Sequence, residues 1–248
     1  MPGLSDELSF DMMAFMDLRN TSGFWPVALA LLGNSVVAIA KFGAAFMSGS
    51  SVMFSEAIHS VADTMNQALL LVGLRRSLKK ADDSFEYGYG NERFFWALIS
   101  ACGIFFVGAG VTAYKGITTL LEPHEIGFSS IIFAVLLFAF VVELYTFLVA
   151  ASALNKSFPD AGFVERLSLA DPMTLAVYLE DAVAVLGVGV AAFSLLLSYY
   201  TGNIVWDALG SIFISFLLAS VAIVLIMKNR SYLIGRSMPK ELQDEVVE

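Results

Sequence analysis

Hydrophobic residues fall into six long stretches that are separated by short polar segments. The stretches run at about 24–46, 52–74, 94–117, 128–154, 174–198 and 204–227. A helix that crosses a bilayer needs about 20 mostly apolar residues, whereas the strands of a membrane barrel would alternate over about ten residues. The pattern therefore predicts an all-α membrane protein with six transmembrane helices, called spans 1 to 6, in one transmembrane domain at 24–227.

The two ends of the chain are more polar. Residues 1–23 carry four acids and one basic residue, so they lack the positive start of a signal peptide. Apolar residues recur there at helical spacing, which is typical of a short helix on the membrane surface, and a frayed polar tail is the alternative. Residues 228–248 are expected to form a short cytoplasmic tail with no C-terminal domain.

The basic residues between the spans are distributed unevenly. Twelve lie before span 1, between spans 2 and 3, between spans 4 and 5, and after span 6, while the other three loops have none. Cytoplasmic loops of membrane proteins are enriched in Lys and Arg. We therefore expect both termini on the cytoplasmic side.

Composition narrows the function classes. The chain is 58% hydrophobic and 15% charged, against about 25% charged in soluble domains. Its net charge of −9 argues against nucleic-acid binding, which requires basic surfaces. Cys102 is the single cysteine, so any metal must be bound by oxygen and imidazole ligands rather than by a thiolate cluster.

Span 2 contains an unusual number of polar residues for a membrane helix. Glu56, His59, Asp63 and Asn66 lie within an arc of roughly 80° at about 100° per residue. Charged groups at bilayer depth cost roughly 2.5–3.5 kcal/mol each, so this face is expected to line a cavity inside the protein. His59 and Asp63 are one turn apart and can converge on one small cation.

Span 5 adds a second set of acids. Glu180 and Asp181 lie in its cytoplasmic third, and Gly187 and Gly189 would allow a neighbouring helix to approach closely. If spans 2 and 5 pack together, one His and two or three carboxylates surround one point. This ligand set favours Zn²⁺, with Mn²⁺ or Fe²⁺ as alternatives. Because clustered carboxylates hold protons when no metal is bound, exchange of metal for protons is expected.

Two further buried acids have structural alternatives. Glu143 in span 4 is either a functional group or the ion-pair partner of Lys41 or Lys115. Asp207 near the start of span 6 is expected to cap a helix or to pack against one, with a functional role as the alternative.

Three segments resemble the cation diffusion facilitator family of metal transporters, in the branch related to the animal zinc transporter nine. They are SGSSVMFSEAIHSVADTMNQALLLVGL, YGYGNERFFWALISACGIFFVGAG and YLEDAVAVLGV. The resemblance runs from about residue 28 to 239. Motif order, number of spans and orientation all agree with it.

The resemblance implies a transport site made of two pairs of ligands, one pair on each of spans 2 and 5. His59 and Asp63 match the first pair, and Asp181 matches the second member of the other pair. Val177 stands at the remaining position and cannot bind metal. Glu180 is the first candidate for the missing ligand, and Asn34 on span 1 is the second.

The resemblance also implies a homodimer that exports divalent cations in exchange for protons by alternating access. Two family features are absent from this sequence: the cytoplasmic C-terminal domain and a histidine-rich loop between spans 4 and 5. We expect a non-enzymatic, proton-coupled Zn²⁺ exporter of the cell inner or plasma membrane that uses no cofactor. The alternatives are a membrane-embedded metalloenzyme with the same ligands and a structural subunit that assists another transporter.

Overall fold

A computed structural model describes residues 24–235 except 124, 125, 158, 160, 161 and 171, with side chains from residue 33 onward. The predicted N-terminal segment 1–23 and the tail beyond residue 235 lie outside these residues. The described part is helical and contains no β-strand. Its helices are α1 (Phe24–Ser48), α2 (Ser51–Ser77), α3 (Glu92–Leu121), α4 (Ser130–Ser157), α5 (Phe163–Leu169), α6 (Pro172–Thr201) and α7 (Val205–Ile234).

Each of the six apolar stretches forms one long helix, with spans 1 to 4 corresponding to α1 to α4, and spans 5 and 6 to α6 and α7. Among the described residues, α3, α4, α6 and α7 are long and apolar enough to cross a membrane. The polar face of α2 lowers its hydropathy. The described part is therefore all-helical, and the protein is a multi-pass membrane protein.

Most helices extend beyond the apolar stretches that predicted them. The clearest case is α7, which continues past Met227 and Lys228 to Ile234. It ends at Gly235, whose φ of 93° is left-handed and stops the helix. The helix of the last span therefore continues through 228–234, the first seven residues of the predicted tail.

The helices pack around a core of small and medium-sized side chains. It includes Val52, Met53, Ala139, Ala191 and Leu195, which are almost completely buried. Small residues allow membrane helices to approach closely. α2 lies at the centre of this arrangement and contacts α1, α3, α6 and α7, so its polar face is surrounded by protein.

The beginning of α2 is fixed by an acid from another helix. Asp207 of α7 is fully buried. One of its oxygens accepts hydrogen bonds from the backbone N–H and the hydroxyl of Ser51, at 2.7 and 2.5 Å. The other accepts from the Ser50 hydroxyl and from the backbone N–H of Val52. Asp207 therefore caps α2 rather than its own helix, and its negative charge lies at the positive end of the α2 dipole.

Candidate transport site

The polar residues of α2 lie at three successive levels along the helix. Glu56, Asp63 and Asn66 are separated by about 10 and 5 Å along the axis, at 1.5 Å per residue. Each level has its own partners from neighbouring helices. The levels are described in turn from the N-terminal end of α2.

The first level is an ionic cluster between α1, α2 and α4. The Nζ of Lys41 lies 2.7 Å from Oε2 of Glu56 and 2.5 Å from Oε1 of Glu143. Lys41 and Glu56 are fully buried, and Glu143 is 9% exposed. Of the two ion pairs predicted for Glu143, the structure therefore shows the one with Lys41. Removal of one partner from such a buried cluster would leave an uncompensated charge, which typically costs about 3–5 kcal/mol.

The middle level contains the predicted pair of His59 and Asp63. His59 Nε2 lies 3.5 Å from Asp63 Oδ2, which is too long for a good hydrogen bond. The imidazole is 1% exposed, and neither of its nitrogens has a hydrogen-bond partner among the described residues. Buried polar atoms without partners are rare, so the ring is available to bind a ligand.

A small cavity of about 10 Å³ opens beside Asp63. That is about the space one water molecule requires. It is lined by residues from α1, α2, α4 and α6, namely Asn34, Val37, Ser60, Asp63, Glu143, Thr146, Asp181 and Ala184. Three of the five predicted site residues, Asn34, Asp63 and Asp181, therefore share one cavity. No group of three or more His, Cys, Asp or Glu side chains in the described ranges is close enough together to hold a metal ion.

At the third level, hydrogen bonds hold Glu180 away from the cavity. Asn66 donates a hydrogen bond to Glu180 Oε2, and Ser100 of α3 donates to Asn66 Oδ1 at 2.5 Å. Glu180 and Asp181 are adjacent, so their side chains diverge by about 100° around α6. The local rotation that would bring Glu180 beside Asp181 is not present in this structure.

Val177 stands at the position of the missing member of the second pair. It lies one turn before Asp181 on α6 and is 37% exposed. Its side chain has no atom that binds a metal. The sequence did not single out Ser60 or Thr146 and did not place Glu143 beside Asp181, because only the packing of α4 on α1 and α6 brings these residues to one cavity.

The sequence of the chain is similar to a known family of membrane proteins. A profile of the Cation efflux transmembrane domain matches residues 27–234. The chain belongs to the cation diffusion facilitator, or cation efflux, family. Its relatives include Metal tolerance protein C4 of Arabidopsis thaliana, which is 40% identical over 224 residues, or 89% of this chain and 49% of that protein.

Two other relatives come from distant organisms. The Proton-coupled zinc antiporter SLC30A9, mitochondrial, of Mus musculus is 40% identical over 221 residues, which are 88% of this chain and 39% of the antiporter. The Uncharacterized transporter MJ0449 of Methanocaldococcus jannaschii is 24% identical over 219 residues, 87% of this chain and 71% of that protein. The predicted family and its zinc transporter nine branch are confirmed, and the chain spans less than half the length of the first two relatives. The family is one of cation transporters rather than of enzymes.

Proposed function

We propose that the transporter exports divalent cations, with Zn²⁺ as its main cargo, in exchange for protons and by alternating access. The observation that supports this most directly is the cavity shared by Asp63 of α2 and Asp181 of α6. The family match supports cation transport, and a relative that is named as a proton-coupled zinc antiporter favours zinc and protons over other ions.

The chemistry of the cavity suits such an exchange. A carboxylate at bilayer depth must be neutralised by a proton or by a cation. Asp63 and Asp181 line one cavity with space for about one small ion, so protons and a dication would compete for the same oxygens. Metal binding to such ligands releases protons. One site therefore couples the export of the metal to the import of protons.

The proposed ligands are His59, Asp63 and Asp181, with Glu180 or Asn34 as the candidates that the sequence offers for a fourth. His59 is buried and free of hydrogen bonds in the described part of the chain. Asn34 lines the cavity, whereas Glu180 accepts a hydrogen bond from Asn66. Zn²⁺ is bound by His and carboxylate side chains in many proteins.

We further propose that all six long helices cross the membrane with both termini in the cytoplasm, as the distribution of Lys and Arg predicts. In this orientation the Asn66–Glu180 level lies on the cytoplasmic side of the cavity. The cluster of Lys41, Glu56 and Glu143 lies on the opposite side. A homodimer in the cell inner or plasma membrane completes the proposal, although the mouse relative is named as mitochondrial.

Transport by purified protein tests this function. In liposomes that contain a Zn²⁺-sensitive dye, an imposed proton gradient is expected to drive Zn²⁺ across the bilayer. Asp63→Ala should reduce the rate to that of protein-free liposomes, because it removes an oxygen ligand that also binds protons. Asp83→Ala, at an exposed loop acid, is the matched control and should transport normally.

Two results would reject the proposed function. One is the absence of any proton-driven movement of Zn²⁺, Mn²⁺ or Fe²⁺ by the unchanged protein. The other is undiminished transport by the Asp63→Ala variant.

A further inference from the structure

The proposed cation site lacks one ligand. Zn²⁺ in proteins is usually held by four ligands in tetrahedral geometry. Asp63 and Asp181 line the cavity and His59 lies 3.5 Å from Asp63, so these residues provide three ligands once they draw together around an ion, and Val177 provides none. The missing ligand must therefore come from a residue outside the pattern of paired positions on α2 and α6.

Glu143 of α4 lies where such a ligand is needed. It lines the same cavity as Asp63 and Asp181. Its Oε1 accepts a hydrogen bond from Lys41, while its Oε2 has no hydrogen-bond partner within the described residues. The residue is 9% exposed. A buried carboxylate oxygen without a partner is costly, and a cation in the cavity would satisfy it.

The two candidates that the sequence offered are less suitable. Glu180 has a free oxygen, Oε1, among the described residues, but it does not line the cavity and its Oε2 accepts a hydrogen bond from Asn66 on the far side. Asn34 lines the cavity, but its neutral amide oxygen is not among the usual zinc ligands, which are thiolate, imidazole and carboxylate. Glu143 alone combines a carboxylate, a position at the cavity and a free oxygen.

We propose that Glu143 is the fourth cation ligand, together with His59, Asp63 and Asp181, and that Lys41 positions it by holding its other oxygen. This inference rests on the proposed function, because it assigns a ligand to the same transported ion. Metal-binding carboxylates are commonly held by a hydrogen bond from a second residue, which fixes their orientation. Lys41 plays this part, and Glu56 keeps the ammonium in place from the other side.

Zn²⁺ binding to purified variants provides the first test. Titration calorimetry in detergent should show affinity for Zn²⁺ at least about tenfold weaker in Glu143→Gln, because even the loss of a residue that orients a ligand costs that much. Glu92→Gln makes the same substitution at the start of α3, away from the cavity, and is the matched control: its affinity should stay close to that of the unchanged protein. Glu180→Gln compares the rival ligand and should weaken binding less than Glu143→Gln.

A second test separates a ligand from a merely structural residue. In a Cys102→Ser background, Glu143→Cys should give a zinc–sulfur distance of about 2.3 Å in X-ray absorption spectra. Glu180→Cys in the same background should show only nitrogen and oxygen around the metal. Both proteins are first compared by gel filtration, so that only folded samples are measured.

The outcomes distinguish this inference from the function on which it rests. If Glu143→Gln binds Zn²⁺ normally, or if Glu143→Cys yields no metal–sulfur distance, Glu143 is not a ligand. Transport that depends on Asp63 would then still stand. If the unchanged protein neither binds nor transports a divalent cation, the proposed function itself fails.

Discussion

The buried acids of this transporter differ in the groups that contact their carboxylate oxygens. Asp207 receives only hydrogen bonds from Ser50, Ser51 and Val52, and Glu180 receives one from Asn66. Asp63 and Asp181 instead face a cavity. Asp207, whose two oxygens both accept hydrogen bonds from fixed protein groups, serves the fold, whereas Asp63 and Asp181 line a cavity that a small cation can enter.

The cap at Asp207 leads to a prediction about stability. Asp207→Asn replaces one acceptor oxygen by an NH₂ group that would face the hydrogen-bond donors at the start of α2. The free energy of unfolding should fall by about 1–3 kcal/mol, the usual cost of leaving buried polar groups unsatisfied.

Chemical denaturation of the purified protein in detergent measures this change. Asp83→Asn, at an exposed position in the loop between α2 and α3, should have the stability of the unchanged protein. Equal stability of both variants would show that Asp207 does not hold α2.

The polar face of α2 could be predicted because helical periodicity alone places Glu56, His59, Asp63 and Asn66 together. The partners of these residues could not. The pairing of Glu56 with Lys41 depends on how α1 and α4 approach α2, and a single sequence contains no signal for contacts between residues that are far apart in the chain.

The approach of α2 and α6 depends on one glycine of α6. A Cβ atom at Gly187 would collide with Oε1 of Glu56, whereas one at Gly189 would have no atom within 4 Å. The sequence predicted close packing at both glycines, and the structure shows it at Gly187 only. Residues two positions apart on a helix point about 200° away from each other, so Gly187 and Gly189 cannot both face the same neighbouring helix.

A pair of substitutions tests this contact. Gly187→Ala should lower the free energy of unfolding by about 1–3 kcal/mol, a common cost of overpacking, because Glu56 is held by Lys41 and cannot move away freely. Gly189→Ala should be neutral or stabilising by up to about 1 kcal/mol, since alanine favours helix formation.

Thermal unfolding of both variants in the same detergent gives the comparison. If Gly187→Ala is as stable as Gly189→Ala, the two helices are further apart than the structure places them. The positions differ by only two residues on one helix, so depth in the membrane does not confound the result.

The molecule as a whole is oriented by charges that lie outside its core. The proposed arrangement places the loop between α2 and α3 in the cytoplasm and the short connection between α6 and α7 on the other side. In intact cells that express the protein with Cys102→Ser, an added Asn203→Cys substitution should react with a membrane-impermeant maleimide. Ser84→Cys should react only after the membrane is permeabilised.

Both test positions are exposed, so access to the reagent depends on the side of the membrane. Reaction of Ser84→Cys in intact cells, with Asn203→Cys protected, would invert the proposed orientation. Reaction of both would contradict the six-span arrangement.

Hydropathy could predict the number and approximate places of the long helices, because segments of this length and composition have few stable alternatives in a bilayer. It could not predict the departure from regular geometry inside α3. Residues Ile104–Ala109 form a π-helical stretch, and its sequence has nothing that separates it from an ordinary apolar helix.

The π-helical stretch divides α3 into two halves that contact different helices. Its first half packs mainly on α2, where Ser100 joins Asn66, and its second half packs on α7, where Gly116 lies against Ser211. A π-type turn adds a residue to the helical count and shifts the phase of everything that follows it. The two halves of this single helix can therefore pack against two neighbours, α2 and α7, that an unbroken α-helical phase would not fit equally well.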